Sequence, residues 1–362
     1  GSVISNNGLV AVTYDNSSIG EVKIFEKDSS GNWPSTASAT YTGPSISVPT
    51  WTQLGSDIDG EASDDNSGRS VSLSSDGTRV AIGATRNGGN GTNSGHVRVY
   101  DWNSGTSQWN KVGLDIDGEA ARDEFGNSVS LSSDGTRVAI GATRNGGNGT
   151  NSGHVRVYDW NSGTSQWNKV GLDIDGEAAY DQSGWSVSMS SDGTRVAIGA
   201  PMSAAGHVRV YEESSGTWTK VGSDIDGEAL YDFSGAVVSM SSDGTRVAIG
   251  AEYNGSAAGH VRVFYDNSGT WTQLGADIDG EAVNDYSGQS VSMSSDGTRV
   301  AIGASGNDGT GTDAGHVRVY DWNSGTSQWN QMGDDIDGEA VGDRSGCSVS
   351  MSSDGTRVAI GA

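Results

Sequence analysis

The sequence holds one cysteine, Cys347, among 362 residues. An intrachain disulfide is therefore excluded, and stability must come from packing, backbone ladders or bound ions. Positive charge is scarce: 21 Lys and Arg stand against 46 Asp and Glu, a net charge of −25. Nucleic acid is excluded as a partner, because phosphate contact needs basic side chains, and here the arginines are spread evenly with no patch. Such acidity suits a soluble surface protein in a salty or calcium-containing medium, where counterions screen self-repulsion. No window approaches the roughly 18 apolar residues of a membrane span. No signal-peptide pattern is present, so a targeting segment is expected to have been removed or to lie outside this chain.

What is abundant is glycine, with 56 residues, beside many Ser, Asn and Asp. Such a composition can mean disorder. Here the apolar residues instead fall in short, regularly recurring β-branched runs, the pattern of many short strands joined by turns. The length would allow two average domains, but all-β rings commonly run longer than the usual domain.

Repetition is the dominant signal. Tryptophans at 51, 109, 167, 218, 271 and 329 open six matching segments, spaced by 58, 58, 51, 53 and 58 residues. Each reads W-x-x-(L/V/M)-G, then D-I-D-G-E-A, then a Gly followed by V-S-(L/M)-S-S-D-G-T-R-V-A-I-G-A, and the first five continue through a variable loop into G-H-V-R-V-(Y/F). Residues 70–121 and 128–179 are identical, as after a recent duplication, which leaves little room for a position-specific active site.

Four strands follow per unit. Ser70 to Ser74 alternates small polar with apolar residues, and Ser75-Asp76-Gly77-Thr78 carries the Asp-Gly signature of a hairpin turn. Arg79 to Ala84 is a nearly continuous apolar run, suited to burial on both faces. His96 to Tyr100 alternates as a third strand, and Trp109 to Gly113 is the fourth, after an Asn103-Ser104-Gly105 turn. Units of this size with four strands predict the antiparallel blades of an all-β propeller spanning residues 1–362.

First-type strands recur near 3, 71, 129, 187, 238, 291 and 349, which predicts seven blades, the last incomplete; six is the alternative. The expected blades are 2–55, 70–113, 128–171, 186–222, 237–275, 290–333 and a partial 348–362. In the divergent first unit, Val3-Ile4-Ser5 reads as the first strand, Leu9 to Val12 as the second and Glu21 to Phe25 as the third. Its fourth lies around Trp33 or at Trp51, with 34–50 as an insertion or irregular outer strand. An unfinished last blade exposes an edge at Ala359 to Ala362, which a further segment of chain or another molecule must cover.

The string Asp123-Glu124-Phe125-Gly126-Asn127-Ser128-Val129-Ser130, followed by Val138-Ala139-Ile140-Gly141-Ala142, resembles the FG-GAP repeat of integrin alpha-chain propellers and of many bacterial and algal surface proteins. Gly-Ala recurs in every copy from 83–84 to 361–362, and Ala200-Pro201 completes the G-A-P form once; Phe-Gly occurs once, and copies such as 183–184 read Ser-Gly. The resemblance implies an extracellular propeller used for adhesion, ligand binding or scaffolding. It also implies calcium sites in D-x-D-x-D-G loops between the first two strands. That hairpin is here the short S-S-D-G-T-R turn with one carboxylate, so those sites do not carry over.

The D-I-D-G-E-A loops are the best candidate metal sites. Each copy places carboxylates at positions 0, +2, +4 and +8, beginning with Asp57, Asp59, Glu61 and Asp65, then Asp115, Asp117, Glu119 and Asp123. The set recurs as Asp173, Asp175, Glu177 and Asp181, and as Asp224, Asp226, Glu228 and Asp232. It returns as Asp277, Asp279, Glu281 and Asp285, and finally as Asp335, Asp337, Glu339 and Asp343. Alternate carboxylates before a Gly suit calcium, a hard cation that takes six to eight oxygens. The other reading is that these side chains accept backbone N–H bonds and brace the link between blades. The two readings are not exclusive.

His96, His154, His207, His260 and His316 all open the third strand of their units. Spread around a ring, they cannot meet at one metal and read as structural. The pairs Trp102 and Trp109, Trp160 and Trp167, and Trp322 and Trp329 suit either packing between blades or platforms for sugars. Four N-x-S/T sequons, at Asn16, Asn90, Asn148 and Asn254, fall in the loop between second and third strands, near one face, where a eukaryotic secretory pathway would glycosylate them. No nucleophile–base arrangement or G-x-S-x-G elbow appears, and paired carboxylates for glycoside hydrolysis need unlike environments, whereas these repeat sixfold. The expectation is a non-enzymatic extracellular or cell-surface propeller for adhesion, assembly or display. Its partner would be a protein, a glycan surface or other copies of itself. A glycan-binding lectin is the alternative, and a secreted hydrolase the third reading.

Overall fold

The computed structural model describes residues 52–362 and the backbone of three short strands before them, Ser2–Ile4, Val10–Val12 and Val22–Glu26. Expectations that fall on Trp33, Trp51, residues 34–50 and Asn16 lie outside the described residues.

One unit shows how sequence becomes blade. Ser67–Leu73, Arg79–Ala84, His96–Asn103 and Gln108–Lys111 pair as successive antiparallel neighbours. The turn between the first two is fixed by Asp76, whose Oδ1 accepts from Thr78 N at 2.9 Å and Ser74 Oγ at 2.7 Å. Gly77 takes φ +71° there, which a side chain resists. Partial burial works against the charged form of Asp76, but those hydrogen bonds outweigh it and hold the carboxyl below its usual range. The same four strands recur in sheets beginning at Phe125–Leu131, Ser186–Met189, Val237–Met240 and Ser290–Met293.

The R-V-A-I-G-A strand is buried on both faces because it lies between sheets. Ala81, Val97 and Val99 of one blade pack with Val129, Leu131, Val138 and Ile140 of the next, and the same cluster repeats around the ring. Burying an isoleucine such as Ile140 completely contributes about 2 kcal/mol.

Polar residues of the repeat also serve the blade interfaces. Leu131 N donates to Ser72 Oγ at 2.9 Å, and Ser70 Oγ donates to Gly126 O at 2.8 Å, so inner strands that do not share a ladder are still tied. The hairpin turns form a further series: Ser75 N donates to Ser133 O, Ser133 N to Ser191 O, Ser191 N to Ser242 O, Ser242 N to Ser295 O and Ser295 N to Ser353 O, all at 2.8–2.9 Å. Each Trp of the outer strand staples its blade to the previous one. The indole N–H of Trp109 donates to Leu54 O at 2.9 Å, and those of Trp167, Trp218, Trp271 and Trp329 donate to Val112, Val170, Val221 and Leu274.

The last unit corrects the expected chain path. Ser348–Met351 and Arg357–Gly361 are joined by Val22–Glu26, which covers the edge left open. The expected first blade, 2–55, therefore does not assemble as one sheet: its third strand belongs to the last. The register gives the reason. Val22, Lys23, Ile24 and Phe25 stand opposite Gly361, Ile360, Ala359 and Val358, as Val97, Arg98, Val99 and Tyr100 stand opposite Gly83, Ile82, Ala81 and Val80. The divergent V-K-I-F is thus a V-R-V-Y strand supplied from the other end of the chain. Ser2–Ile4 pairs with Val10–Val12 and touches both strands of this last unit on one side and Ser67–Leu73 on the other. Six sheets of three or more strands stand as blades, the alternative count rather than seven, and the remaining expected first-type strand, Ser2–Ile4, sits in a two-stranded pair between the last of them and the first.

Candidate functional site

The D-I-D-G-E-A loop divides its carboxylates between two blades. Its first half stays with the blade just completed: Ile116–Asp117 is a two-residue strand pairing with the start of the third strand, His96 opposite Asp117 and Val97 opposite Ile116. Two residues give no periodic signal, so this fifth strand was not legible in the sequence. It sets Asp115 beside the third strand, 3.2 Å from Arg98 Nε and 2.8 Å from Lys111 Nζ. The second half belongs to the blade that follows. Glu61, entering the same blade, meets the Arg98 guanidinium and stands 3.9 Å from His96 Nδ1.

Position +8 does something else. Asp65 is buried, and its Oδ2 accepts from Ala62 N at 3.1 Å and from Asn87 Nδ2 at 3.0 Å. Asp123, Asp232 and Asp285 accept in the same way from Ala120 and Asn145, Ala229 and Asn254, and Ala282 and Asn307. Asp181 and Asp343 keep the backbone bond, from Ala178 and Ala340. These six residues brace the loop, as one of the two sequence readings held. Position +2 lies in the short strand, half-buried at Asp117 and Asp337 and exposed at Asp175, Asp226 and Asp279. In the first copy, Asp57 accepts from Gln53 Nε2 at 2.7 Å, and Asp59 is exposed.

The outcome is a repeated cluster of one buried imidazole and two carboxylates, which come from two loops in four of the five copies. Glu61, His96 and Asp115 offer ligand atoms within 4.8 Å of one another, and so do Glu119, His154 and Asp173. The series continues through His207, Asp224 and Asp226, then Glu228, His260 and Asp277, and last Glu281, His316 and Asp335. Each of these clusters could hold a metal ion. No two histidines meet, as expected, but each histidine is a candidate ligand in its own blade, which the sequence reading missed. The missed signal was that every His falls two residues before an Arg that meets the entering loop's glutamate, and in the first three copies the leaving loop's aspartate too. Glu177 meets Arg209 and lies outside its blade's triad, and Glu339 enters the last unit, where Val22–Glu26 is the third strand.

Electrostatics follow the geometry. Burial pushes His96, His154, His260 and His316 below the usual imidazole value, against the pull of neighbouring carboxylates. Burial also opposes charge on Asp115, Asp173 and Asp224, but bonds from Lys111, Lys169 and Lys220 and the nearby arginines overcome it and hold these carboxyls low.

Of the sequons, Asn90 and Asn148 are exposed, with Nδ2 bound to Gly118 O and Gly176 O at 2.9 Å. Asn254 occupies the place of Asn87 and donates its Nδ2 to Asp232, so a glycan there would break the loop brace. The paired tryptophans are tilted rings 5.4 Å apart, held at the rim by the indole staples and by Arg79, 6.0 Å from both Trp160 and Trp167.

Among known proteins, the fold has many relatives and the sequence few. Hydrazine synthase of Kuenenia stuttgartiensis aligns over 79% of this chain and 78% of its own, at 14% identity and a TM-score of 0.50. The periplasmic gluconolactonase of Pseudomonas aeruginosa aligns over 75% and 72%, at 15% identity and a TM-score of 0.53. A protein from Lactobacillus plantarum aligns over 74% and 70%, at 12% identity and a TM-score of 0.50. At such identities the likeness is one of fold alone. No curated protein matches the sequence. The family model that matches is the FG-GAP repeat, over residues 115–158, which run from the leaving loop of one blade to the third strand of the next. With that repeat set among like four-stranded sheets, the chain is an all-β propeller that carries an FG-GAP repeat over residues 115–158.

Proposed function

We propose that the propeller is a non-catalytic extracellular or cell-surface module that displays a binding surface for adhesion or assembly. One observation carries this reading. The strands repeat almost residue for residue, while the two residues after each Glu-Ala change from copy to copy: Ser63-Asp64, Ala121-Arg122, Ala179-Tyr180, Leu230-Tyr231, Val283-Asn284 and Val341-Gly342. Several are apolar and well exposed, with Tyr180 at 61%, Leu230 at 66%, Tyr231 at 74%, Val283 at 60% and Val341 at 70%. A fixed scaffold with variable, exposed apolar loop tips is the arrangement of a contact surface. Catalysis has no comparable support, since the acidic clusters repeat in like settings.

The test is attachment of beads carrying the propeller to cell layers. Replacing Tyr180, Leu230, Tyr231, Val283 and Val341 by Ser should abolish attachment and leave the melting temperature unchanged. Equal attachment by the two proteins would overturn the reading. A lectin role rests on a different feature, a groove of about 570 Å³ lined by Asp159, Trp160, Asn161, Lys169 and Gly216. A glycan array decides it: loss of a bound sugar on Trp160→Ala would support the lectin, and failure to bind any sugar would remove it.

The calcium expectation takes a narrower form. Each cluster contributes an imidazole and few oxygens, and the carboxylates are shared with arginine, which is a poor match to a calcium cage. Calcium would act here through the diffuse negative charge, and chelation of calcium alone should shift the melting temperature by less than about 2 °C.

A further inference from the structure

The five clusters occupy equivalent places but do not carry equal charge. In the first three, a lysine of the outer strand reaches the position 0 aspartate: Lys111 to Asp115 at 2.8 Å, Lys169 to Asp173 at 2.7 Å and Lys220 to Asp224 at 2.7 Å. The third-strand arginine adds a second cation at 3.2, 2.9 and 3.1 Å. These aspartates are neutralised from within. In the last two, Gln273 and Gln331 replace the lysine and donate to Asp277 and Asp335 at 2.6 Å, adding no charge. The arginines leave the position 0 aspartates as well and keep only the glutamates, Arg262 Nη1 at 3.8 Å from Glu228 Oε1 and Arg318 Nη1 at 3.5 Å from Glu281 Oε1. Arg262 Nη2 donates to Asp226 O at 2.6 Å and Arg318 Nη2 to Asp279 O at 2.8 Å, while their guanidinium groups lie over the Phe264 and Tyr320 rings. Among the described residues no lysine or arginine forms an ion pair with Asp277 or Asp335.

In the fifth cluster the imidazole and a carboxylate come closest. His316 is 1% exposed, and its Nδ1 is buried with no hydrogen-bond partner, as are both ring nitrogens of His154 in the second cluster. The His316 nitrogen points at Asp335 Oδ2, 3.5 Å away, within the set completed by Glu281. Donors held at about 2.0–2.1 Å around a tetrahedral zinc lie roughly 3.4 Å apart, so the pair already has the spacing of two ligands.

We propose that Glu281, His316 and Asp335 form a site for a divalent transition ion such as Zn²⁺, with the fourth cluster, Glu228, His260 and Asp277, as a weaker second site. An imidazole nitrogen with two carboxylate oxygens suits zinc, which accepts mixed N and O ligands in fours, better than calcium. The three lysine-bearing clusters are occupied by their own cations and stay metal-free at the same concentration.

The test uses the intact chain, stripped with chelator and titrated with zinc chloride in equilibrium dialysis. One or two tight equivalents are expected. Gln331→Lys, which installs the residue three other blades already tolerate, should remove one equivalent or weaken it at least tenfold. His316→Asn should do the same, with circular dichroism confirming that the propeller persists. Gln331→Lys serves if His316→Asn does not fold. Five equal sites, no bound zinc, or unchanged binding by Gln331→Lys would each overturn the proposal.

Discussion

Replacing Gly288 by Ala tests how closely the blades must approach. Gly288 enters the blade that starts at Ser290–Met293 with φ +87°, and a Cβ there would lie 2.6 Å from His260 O and 3.1 Å from Val261 Cγ2 of the preceding blade. Two costs add. The left-handed backbone costs an L-residue about 1–2 kcal/mol, and overlap with a fixed carbonyl costs about 1–3 kcal/mol more. Gly269 separates them. It has φ +86° and nothing within 4 Å of the position a Cβ would take, so Gly269→Ala meets the first cost alone. For 362 residues the unfolding entropy is about 0.76 kcal/mol/K, so each kcal/mol moves the midpoint by about 1.3 °C. Gly269→Ala should therefore lower the melting temperature by about 1–3 °C and Gly288→Ala by about 3–6 °C. Scanning calorimetry at fixed concentration reads both. Equal drops would show that the blades can give way at Gly288 and would refute the argument from close approach.

Other outcomes follow from features already described. The four histidines held low by burial are protonated more readily in the unfolded chain, so stability should fall as pH drops below about 6.5, by at most about 1.4 kcal/mol per pH unit for each imidazole. Urea melts at pH 7.5 and 5.5 with a common midpoint would contradict this. The carboxyl of Glu252 is raised by burial alone, and Thr85 and Thr143 hold the same place in other blades; Glu252→Thr should raise stability at pH 7 by about 1 kcal/mol, and a lower melting temperature would count against it. Trp218→Phe loses the bond to Val170 O and should cost about 1 kcal/mol in a denaturant melt, unless the carbonyl finds another donor and the midpoint stays put. A chain of residues 52–362 lacks the strand that covers Arg357–Gly361; it should melt lower and regain stability with a peptide of residues 20–28, while a scrambled peptide should do nothing.

The strands were legible because their signals are local. R-V-A-I-G-A reads as a doubly buried strand, and the observed bounds, Arg79–Ala84, are those expected. The Asp76-Gly77 hairpin was equally plain. What could not be read was which copy each piece serves. The partition of D-I-D-G-E-A between two blades depends on a two-residue strand, Ile116–Asp117, and on Arg98, which lies more than 30 residues along the chain from Glu61. Val22–Glu26 showed its type through alternation, but its partner, Arg357–Gly361, lies at the far end of the sequence, and periodicity carries no information about such distant pairing. The histidines were placed correctly on the third strand, but the carboxylates gathered beside them were not legible, because residues from two loops far apart in the chain meet there only once the blade is folded.

The series from Ser75 to Ser353 has a further consequence. Every link runs the same way, each turn offering its N–H to the next turn's carbonyl. A unit therefore has a head and a tail, like the monomer of a directional polymer, and a copied unit inserts with both ends matched. Such growth needs no new interface to evolve, and residues 70–121 and 128–179, alike at every position, fit a recent insertion of this kind. Aligned peptide dipoles also polarise one another along the series, so the amide protons of these serines should be slow to exchange and should be released together. On this view the link is indifferent to how many units have been added. Ring size is set by the angle at which one wedge-shaped sheet meets the next.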